Sequence, residues 1–277
     1  MRNTVSLKLL EYAAPETLAV VNFVILAAGR KTQRNSKSST IVHTNLRTFI
    51  MQPDPSYDDY MIRWTSAYQS ANYDRGLAAR LLTMSHIWCE RAFGHNKHFS
   101  RVLEVGAGTG IHIQNVRHTY DEYVLTDLNP PMLDQIRVAQ KKNGGKISIQ
   151  REDATHLTFP DGSFDRLIAT HVLEHLPRPH VVLREWNRVV RPGGVISIVL
   201  PCDPGMAWRM GRHLGPRRKF QAIGIDYDYW MAREHINSIT NLGSFIRFYF
   251  PNIHETWYPL RVRSSDLNLF YIVHIDV

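Results

Sequence analysis

The stretch His171-Val172-Leu173-Glu174-His175 places two imidazoles and a carboxylate within five residues. Read as H-x-x-E-H, it is the pattern of one class of zinc peptidases. That chemistry needs both imidazoles on one face of a helix and a third ligand from a distant helix. The surroundings argue against it. His171 follows directly on "DRLIAT", which reads as a strand, and Pro177 and Pro179 follow within eight residues. Proline removes a backbone donor and blocks a helix interior, so no long ligand-bearing helix fits. The two histidines are therefore placed at a strand end, and no metal is expected.

A second constellation lies upstream. "VLEVGAGTG" (102–110) runs from a short apolar strand into a loop with glycines at 106, 108 and 110. Glycine is needed where the backbone turns sharply or a ligand must approach it closely. The spacing is G-x-G-x-G with Ile at 111, so it departs from the dinucleotide fingerprint G-x-G-x-x-G. Asp127 follows Gly110 by seventeen residues, at the end of "YVLTD". A carboxylate there can accept both hydroxyls of a ribose. Asp153, in "QREDATHL", stands just past the next short apolar run, where it could accept from the exocyclic amine of an adenine. Each aspartate alone is equally a helix N-cap or a turn residue. Their order after this loop favours the nucleoside reading.

A third cluster is basic and aromatic. Residues 207–220, "AWRMGRHLGPRRKF", hold Arg209, Arg212, Arg217, Arg218 and Lys219 with no acid between them. Trp208, Tyr227, Tyr229 and Trp230 stand near. Two arginines can grip a phosphate or carboxylate bidentately, and aromatics can pack a sugar ring or an apolar tail. The alternatives are a solvated lid and a patch that meets an anionic membrane surface.

The elements that must position these groups alternate from Arg101 onward. Short strands are expected at 102–105, 123–126, 147–149, 164–170 and 195–200. Helices are expected at 109–119, 132–142 and 179–190. Such alternation means a parallel sheet covered on both faces. Before it, 58–86 reads as helical, with Tyr60, Trp64, Tyr68, Leu77, Leu81 and Leu82 at helical spacing. After the basic insert a helix is expected at 232–249. Strand-like runs near 253–258 and 267–275 then suggest an antiparallel hairpin on the sheet edge.

From Arg101 to Leu200 the chain resembles the class I S-adenosylmethionine-dependent methyltransferases, and most of all the ubiquinone/menaquinone C-methyltransferase-like branch. The residues that carry the resemblance are "VLEVGAGTG", "TDLNPPML", "REDATHLTFPDGSFD", "IATHVLEHL" and "RPGGVISIVLP", in the family's order and spacing. It implies an α/β Rossmann-like fold. The sheet would have seven mostly parallel strands with the last antiparallel, helices on both faces, and S-adenosylmethionine at the strand C-termini. Glu104, Gly106, Ala107, Gly108 and Gly110 would face the methionine part. Asp127, Leu128 and Met132 would serve the nucleoside, and Asp153 and Ala154 the adenine. His171 would line the cofactor side and His175 would stand near the transferred methyl, as catalytic candidates. Arg209, Arg212, Arg217, Arg218 and Tyr229 are the candidate acceptor-binding residues.

The implied activity is methyl transfer to a small-molecule or lipid- or nucleotide-linked sugar acceptor, with an anionic group expected. Two alternatives stay open: an RNA methyltransferase, and a non-catalytic S-adenosylmethionine-binding regulatory protein. Asn129-Pro130-Pro131 follows the second strand rather than the fourth, so it is not the amino-methylation tetrad. The 277 residues carry a formal charge of +8, but residues 1–50 hold seven basic side chains against Glu11 and Glu16, and the insert holds five more. Charge confined to two clusters is unlike a nucleic-acid face, which spreads it over the domain surface. The two cysteines allow no disulfide framework, so a reducing, cytoplasmic location is expected. The apolar run 18–28 is too short to span a bilayer, and Glu11, Pro15 and Glu16 before it are unlike the basic start of a signal peptide. The chain thus divides into a partly disordered extension (1–50), a helical cap (51–100) and the cofactor domain (101–277) with its insert at about 202–235.

Overall fold

The computed structural model describes residues 54–69, 76–136 and 144–277. They fall in one compact unit, Asp54–Val277. The extension expected over 1–50 lies outside the described residues.

Seven strands form one sheet: β1 (His98–Val105), β2 (Thr119–Asp127), β3 (Gly144–Arg151), β4 (Phe164–Thr170), β5 (Val190–Pro201), β6 (Ile253–Tyr258) and β7 (Phe270–Asp276). Their order is β3-β2-β1-β4-β5-β7-β6. The first five pair in parallel. β7 lies antiparallel between β5 and β6, which gives the expected edge hairpin. β1 and β4 leave the sheet centre side by side, so the loops after them meet at one edge, where ligands bind in open α/β sheets.

Alternation along the strands assigns two faces. Leu103, Val105, Val124, Leu167, Ala169, Ile196, Ile198, Leu200, Tyr271, Val273 and Ile275 point to one face. There they pack on α4 (Pro179–Val189) and α8 (Ile239–Tyr249) through Val182, Leu183, Trp186, Leu242 and Ile246. The spacing 182, 183, 186 and 189 is the apolar stripe of a helix lying on a sheet. The other face meets α2 (Leu77–Glu90), which packs on β5 and β7. Two further layers of the same unit are α1 (Tyr57–Gln69) and the insert helices α5 (Met206–Leu214), α6 (Pro216–Ala222) and α7 (Tyr227–Glu234). Tyr60, Phe220, Ile225, Tyr227, Trp230 and Met231 form their joint core.

Four expected elements differ. The helix expected at 109–119 is a single 3-10 turn, His112–Asn115. β2 reaches back to Thr119, and "IHIQNV" is rich in β-branched, His and Asn residues of low helix propensity. The helix expected at 132–142 is one turn, α3 (Pro130–Leu133), while 137–143 lie outside the described residues and β3 begins at Gly144. The helix expected over 58–86 is two helices, α1 and α2, with 70–75 outside the described residues. The helix expected at 232–249 is broken between Glu234 and Ile239. Ser238 caps the second piece by accepting the Asn241 N–H at 3.3 Å.

Candidate active site

The glycine loop follows β1, and all three glycines take left-handed φ: 63° at Gly106, 56° at Gly108 and 73° at Gly110. A Cβ on Gly106 would stand 2.5 Å from Val172 Cγ2, so the loop after β4 closes onto the loop after β1. The Gly108 N–H donates to one oxygen of Asp127 and the Asn129 N–H to the other, both at 2.9 Å. Asp127 therefore ties the loop to the end of β2 and keeps lone pairs for further donors. Burial raises its pKa. Asn129 reaches the Thr65 hydroxyl of α1 at 3.5 Å, so α1 borders the same corner.

Below the loop lies a recess lined by His86, Glu104, Gly106, Ala107, Thr109, Ile111, His112 and Thr170. Glu104 is 1% exposed, and the Tyr123 hydroxyl donates to its Oε2 at 2.6 Å. Burial raises its pKa. A cationic group in the recess would meet this carboxylate. Leu128, beside Asp127, is 55% exposed, and Met132 is buried beyond it. Asp153 uses Oδ1 to accept the Thr155 N–H at 2.8 Å and hydroxyl at 2.7 Å, and its Oδ2 makes no hydrogen bond among the described residues. Ala154 gives its carbonyl to the Trp186 indole N–H at 2.8 Å. A buried acid, a second acid that accepts backbone N–H groups, an exposed apolar side chain and a polar edge thus follow one another across β1, β2 and β3. This set fits S-adenosylmethionine, which Glu104 would hold by its ammonium and sulfonium, Asp127 by its ribose, and Leu128 and Asp153 by its adenine.

His171 sits at φ 58°, a left-handed conformation that a non-glycine residue adopts at a cost of about 1–3 kcal/mol. The Ser85 hydroxyl gives its proton to the Leu82 carbonyl at 2.7 Å, so His171 Nε2 donates to Ser85 Oγ at 3.0 Å. Burial, then the charges of His235 and His112, lowers the His171 pKa to about 3, and it stays neutral. His175 ends the 3-10 turn Leu173–His175, which is no peptidase helix. Its Nδ1 donates to the Glu234 carbonyl at 3.0 Å, and Nε2 carries the lone pair. Burial, then His235, lowers the His175 pKa, although its side chain is 36% exposed. Glu174, between them, is 2% exposed, and burial, then the Asp203 charge, pushes its carboxyl up to about 8.

Ser85, His86, Asp203 and His235 escape the sequence reading. Ser85, His86, Cys89 and Glu90 form one buried stripe on α2, and a polar stripe at helical spacing inside an apolar helix was the available signal. Asp203, just past β5, accepts from His235 Nδ1 at 2.9 Å and Arg212 at 3.3 Å. Nothing in "AREHIN" marks His235.

The candidate acceptor residues are variously engaged. Arg209 and Arg218 are exposed. Arg212 is held by Asp203 and lies over the Tyr227 ring, and Arg217 by Asp228. The Tyr229 hydroxyl donates to Asp54 at 3.0 Å. Trp230 is stacked on Tyr60 at 3.7 Å and so is spent in packing. α5 exposes Met206, Met210 and Leu214. No helix among the described residues is long and apolar enough to cross a membrane.

The family described as "Methyltransferase domain" matches residues 103–198. The chain is 35% identical over 39% of its length to 2-methyl-6-phytyl-1,4-hydroquinone methyltransferase 1 of Oryza sativa subsp. japonica, covering 32% of that protein. It is 34% identical over 38% of its length to phosphatidylethanolamine N-methyltransferase of Cereibacter sphaeroides, covering 52% of that protein. The chain thus spans a third to a half of the length of these curated relatives. A SAM-dependent methyltransferase structure from Thermotoga maritima matches with a TM-score of 0.51 at 15% identity, over 78% of this chain and 98% of that one. That likeness speaks for the fold, and the 3-2-1-4-5-7-6 sheet agrees with it. Residues 103–198 are a methyltransferase domain of the class I S-adenosylmethionine-dependent type, built into a seven-stranded Rossmann-like fold.

Proposed function

We propose that the protein transfers the methyl group of S-adenosylmethionine to a small-molecule or lipid-borne acceptor that reacts through a hydroxyl or an enolisable carbon. The observation that carries the reading is the closure of the Gly106–Gly110 loop onto Asp127 at the mouth of the Glu104 recess. The cofactor supplies an activated methyl on a cationic sulfur. The chain's part is to bind and orient. Glu104 offers negative charge in a buried recess, where it is less screened than in water. Asp127 fixes the ribose and, with it, the reach of the methyl. His171, pinned by Ser85, holds the loop after β4. His175 turns a bare Nε2 toward the acceptor side, where a hydroxyl or an acidic carbon needs a lone pair and an amine does not. The hydroquinone relative favours the hydroxyl-bearing class. The phosphatidylethanolamine relative marks the amine class that the test must separate. Arg209 and Arg218 remain available to an anionic group on the acceptor.

The test is calorimetry with S-adenosylhomocysteine. Asp127→Ala removes a ribose acceptor and unties Gly108, and we expect at least a tenfold loss of affinity, consistent with about 1–3 kcal/mol for an unpaired buried donor. Unchanged affinity in a folded variant would sink the cofactor assignment. Product analysis on quinol and amine probes then separates the acceptor classes.

A further inference from the structure

We propose that Glu174, His175 and His235 form a binding site for one divalent transition-metal ion, with Asp203 as a positioning residue. One carboxylate oxygen and two imidazole nitrogens from these residues lie within 4.8 Å of one another. The hydrogen-bond partners of the two imidazoles place their protons. His175 Nδ1 faces the Glu234 carbonyl at 3.0 Å, and a carbonyl only accepts, so Nδ1 carries the hydrogen. His235 Nδ1 faces the Asp203 carboxylate at 2.9 Å and likewise donates. In the neutral form of each ring, Nε2 is then a bare lone pair. Glu174 completes the group from the buried side, 2% exposed, with Oε1 3.9 Å from His175 Nε2 and Oε2 without a hydrogen-bond partner among the described residues.

With Glu174 ionised, three lone-pair atoms converge, and among the described residues no hydrogen bond joins them. At 3.9 Å a single proton cannot bridge carboxylate and imidazole. A cation can. Zinc bonds of about 2.0–2.2 Å at a tetrahedral angle separate their ligands by about 3.4 Å, so Glu174 and His175 need close by about half an ångström and no pair by more than about 1.4 Å. A carbonyl and a carboxylate behind the two imidazoles are the outer partners that fix tautomer and ring direction in metal sites. Two histidines and one carboxylate leave coordination positions open, as in catalytic zinc and non-haem iron sites. The His175 side chain is 36% exposed, which gives solvent and ligand an entry. His171, 3.8 Å from Glu174 on its Nδ1 side, sends its Nε2 to Ser85 and is not needed as a ligand.

A second grouping, Cys89, Glu90 and His112, is set aside. The Arg166 guanidinium already stands 2.7 Å from Glu90 there, and a further cation would be repelled. The inference deepens the proposed function without depending on it for binding. The ion would hold an oxygen of the acceptor as the oxyanion, the proton leaving to solvent, and the His175 lone pair would act through the ion.

The experiment uses the full chain without an affinity tag, stripped of metal, and titrated separately with Zn²⁺, Mn²⁺ and Co²⁺ by calorimetry. Co²⁺ is also followed by its visible spectrum. We expect one equivalent of Zn²⁺ or Co²⁺ bound. His235→Ala and Glu174→Gln should lose at least tenfold in affinity, and Asp203→Asn about 10–100-fold. The control variants Cys89→Ser and His98→Ala should bind as the parent does. S-adenosylhomocysteine binding and thermal unfolding, measured on every variant, report folding. No stoichiometric ion in the folded parent overturns the site, as does metal retained by a folded His235→Ala or lost with Cys89→Ser. Metal failure with intact S-adenosylhomocysteine binding refutes this site alone. Metal binding without S-adenosylhomocysteine binding refutes the cofactor reading alone.

Discussion

The two faces of the sheet solve burial in opposite ways. Under α4 and α8 the interior is apolar and closed by Trp186, Leu242 and Ile246. Under α2 the same strands present Glu104, Arg166, Ser197 and His274, and all four are buried. Arg166 is fully buried. It pairs with Glu90 at 2.7 Å, donates to Ser197 at 3.2 Å and lies over the Phe93 ring at 4.1 Å. His112 gives its Nε2 proton to Glu90 at 3.0 Å and takes one from His86. Although burial pushes Glu90 up, Arg166 and His112 hold its carboxyl well below the usual range. The comparison teaches that the face carrying the recess is the one that carries charge. His86, His112 and Glu104 belong at once to the buried network and to the recess wall. The polar layer behind the site fixes the orientation of those walls, at a desolvation cost that the apolar face avoids.

Substitution at Arg166 should have the largest effect. Arg166→Met strands the Glu90 charge, and we expect a loss of about 3–5 kcal/mol in urea unfolding. Adding Glu90→Gln should restore part of it, because the second change removes the orphaned charge. Trp186→Ala on the apolar face costs a similar ~3–5 kcal/mol through its cavity and should add to Arg166→Met without coupling. If Glu90→Gln makes Arg166→Met worse, the pairing is not what holds the α2 face together.

Acid should separate the faces more gently. Burial, then the Arg166 charge, lowers His118 to about 4 and His274 to about 3. Their unfolded value is 6.5. The unfolded chain therefore binds more protons in between, and stability falls as pH drops from 6.5 toward 4. Glu90, also depressed, adds to the loss below its ordinary 4.5. We expect His274→Gln to flatten this slope in unfolding experiments at stepped pH and apolar-face variants to leave it unchanged. An identical slope in His274→Gln would remove that histidine from the account.

The apolar face was the legible one. Runs such as "RLIAT" and "VISIVL" read as buried parallel strands, and "PHVVLREWNRV" as the amphipathic crossover between them. The positions of the loop glycines and of Asp127 were legible as well, since the short strands before them could be read and the glycines take the left-handed φ that their residue type permits. The α2 face was not. Arg166 sits second before "IAT" and reads as the polar start of a strand, since its partner is 76 positions away in an unrelated helix. The missing crossover helix after β1 was hidden for a related reason. The family's pattern predicts it, and only the early start of β2 at Thr119 removes the room for it. His235 reaches His175 from across the insert, a contact that no local pattern encodes.

The position of β7 also sets an order of assembly. β4, α4 and β5 are consecutive and can condense locally. The polar face closes only through distant pairs: Ser197 with His274 and Cys89 with Arg166 across 77 positions each, and Ser85 with His171 across 86. Loop entropy is spent before such contacts reward it, so they come late. In a chain that is still folding, Arg166 keeps its water until β7 docks beside β5. The charged half is then the last to be sealed and the first to reopen, and pulsed hydrogen exchange at the β4 and β7 amides would read that sequence directly.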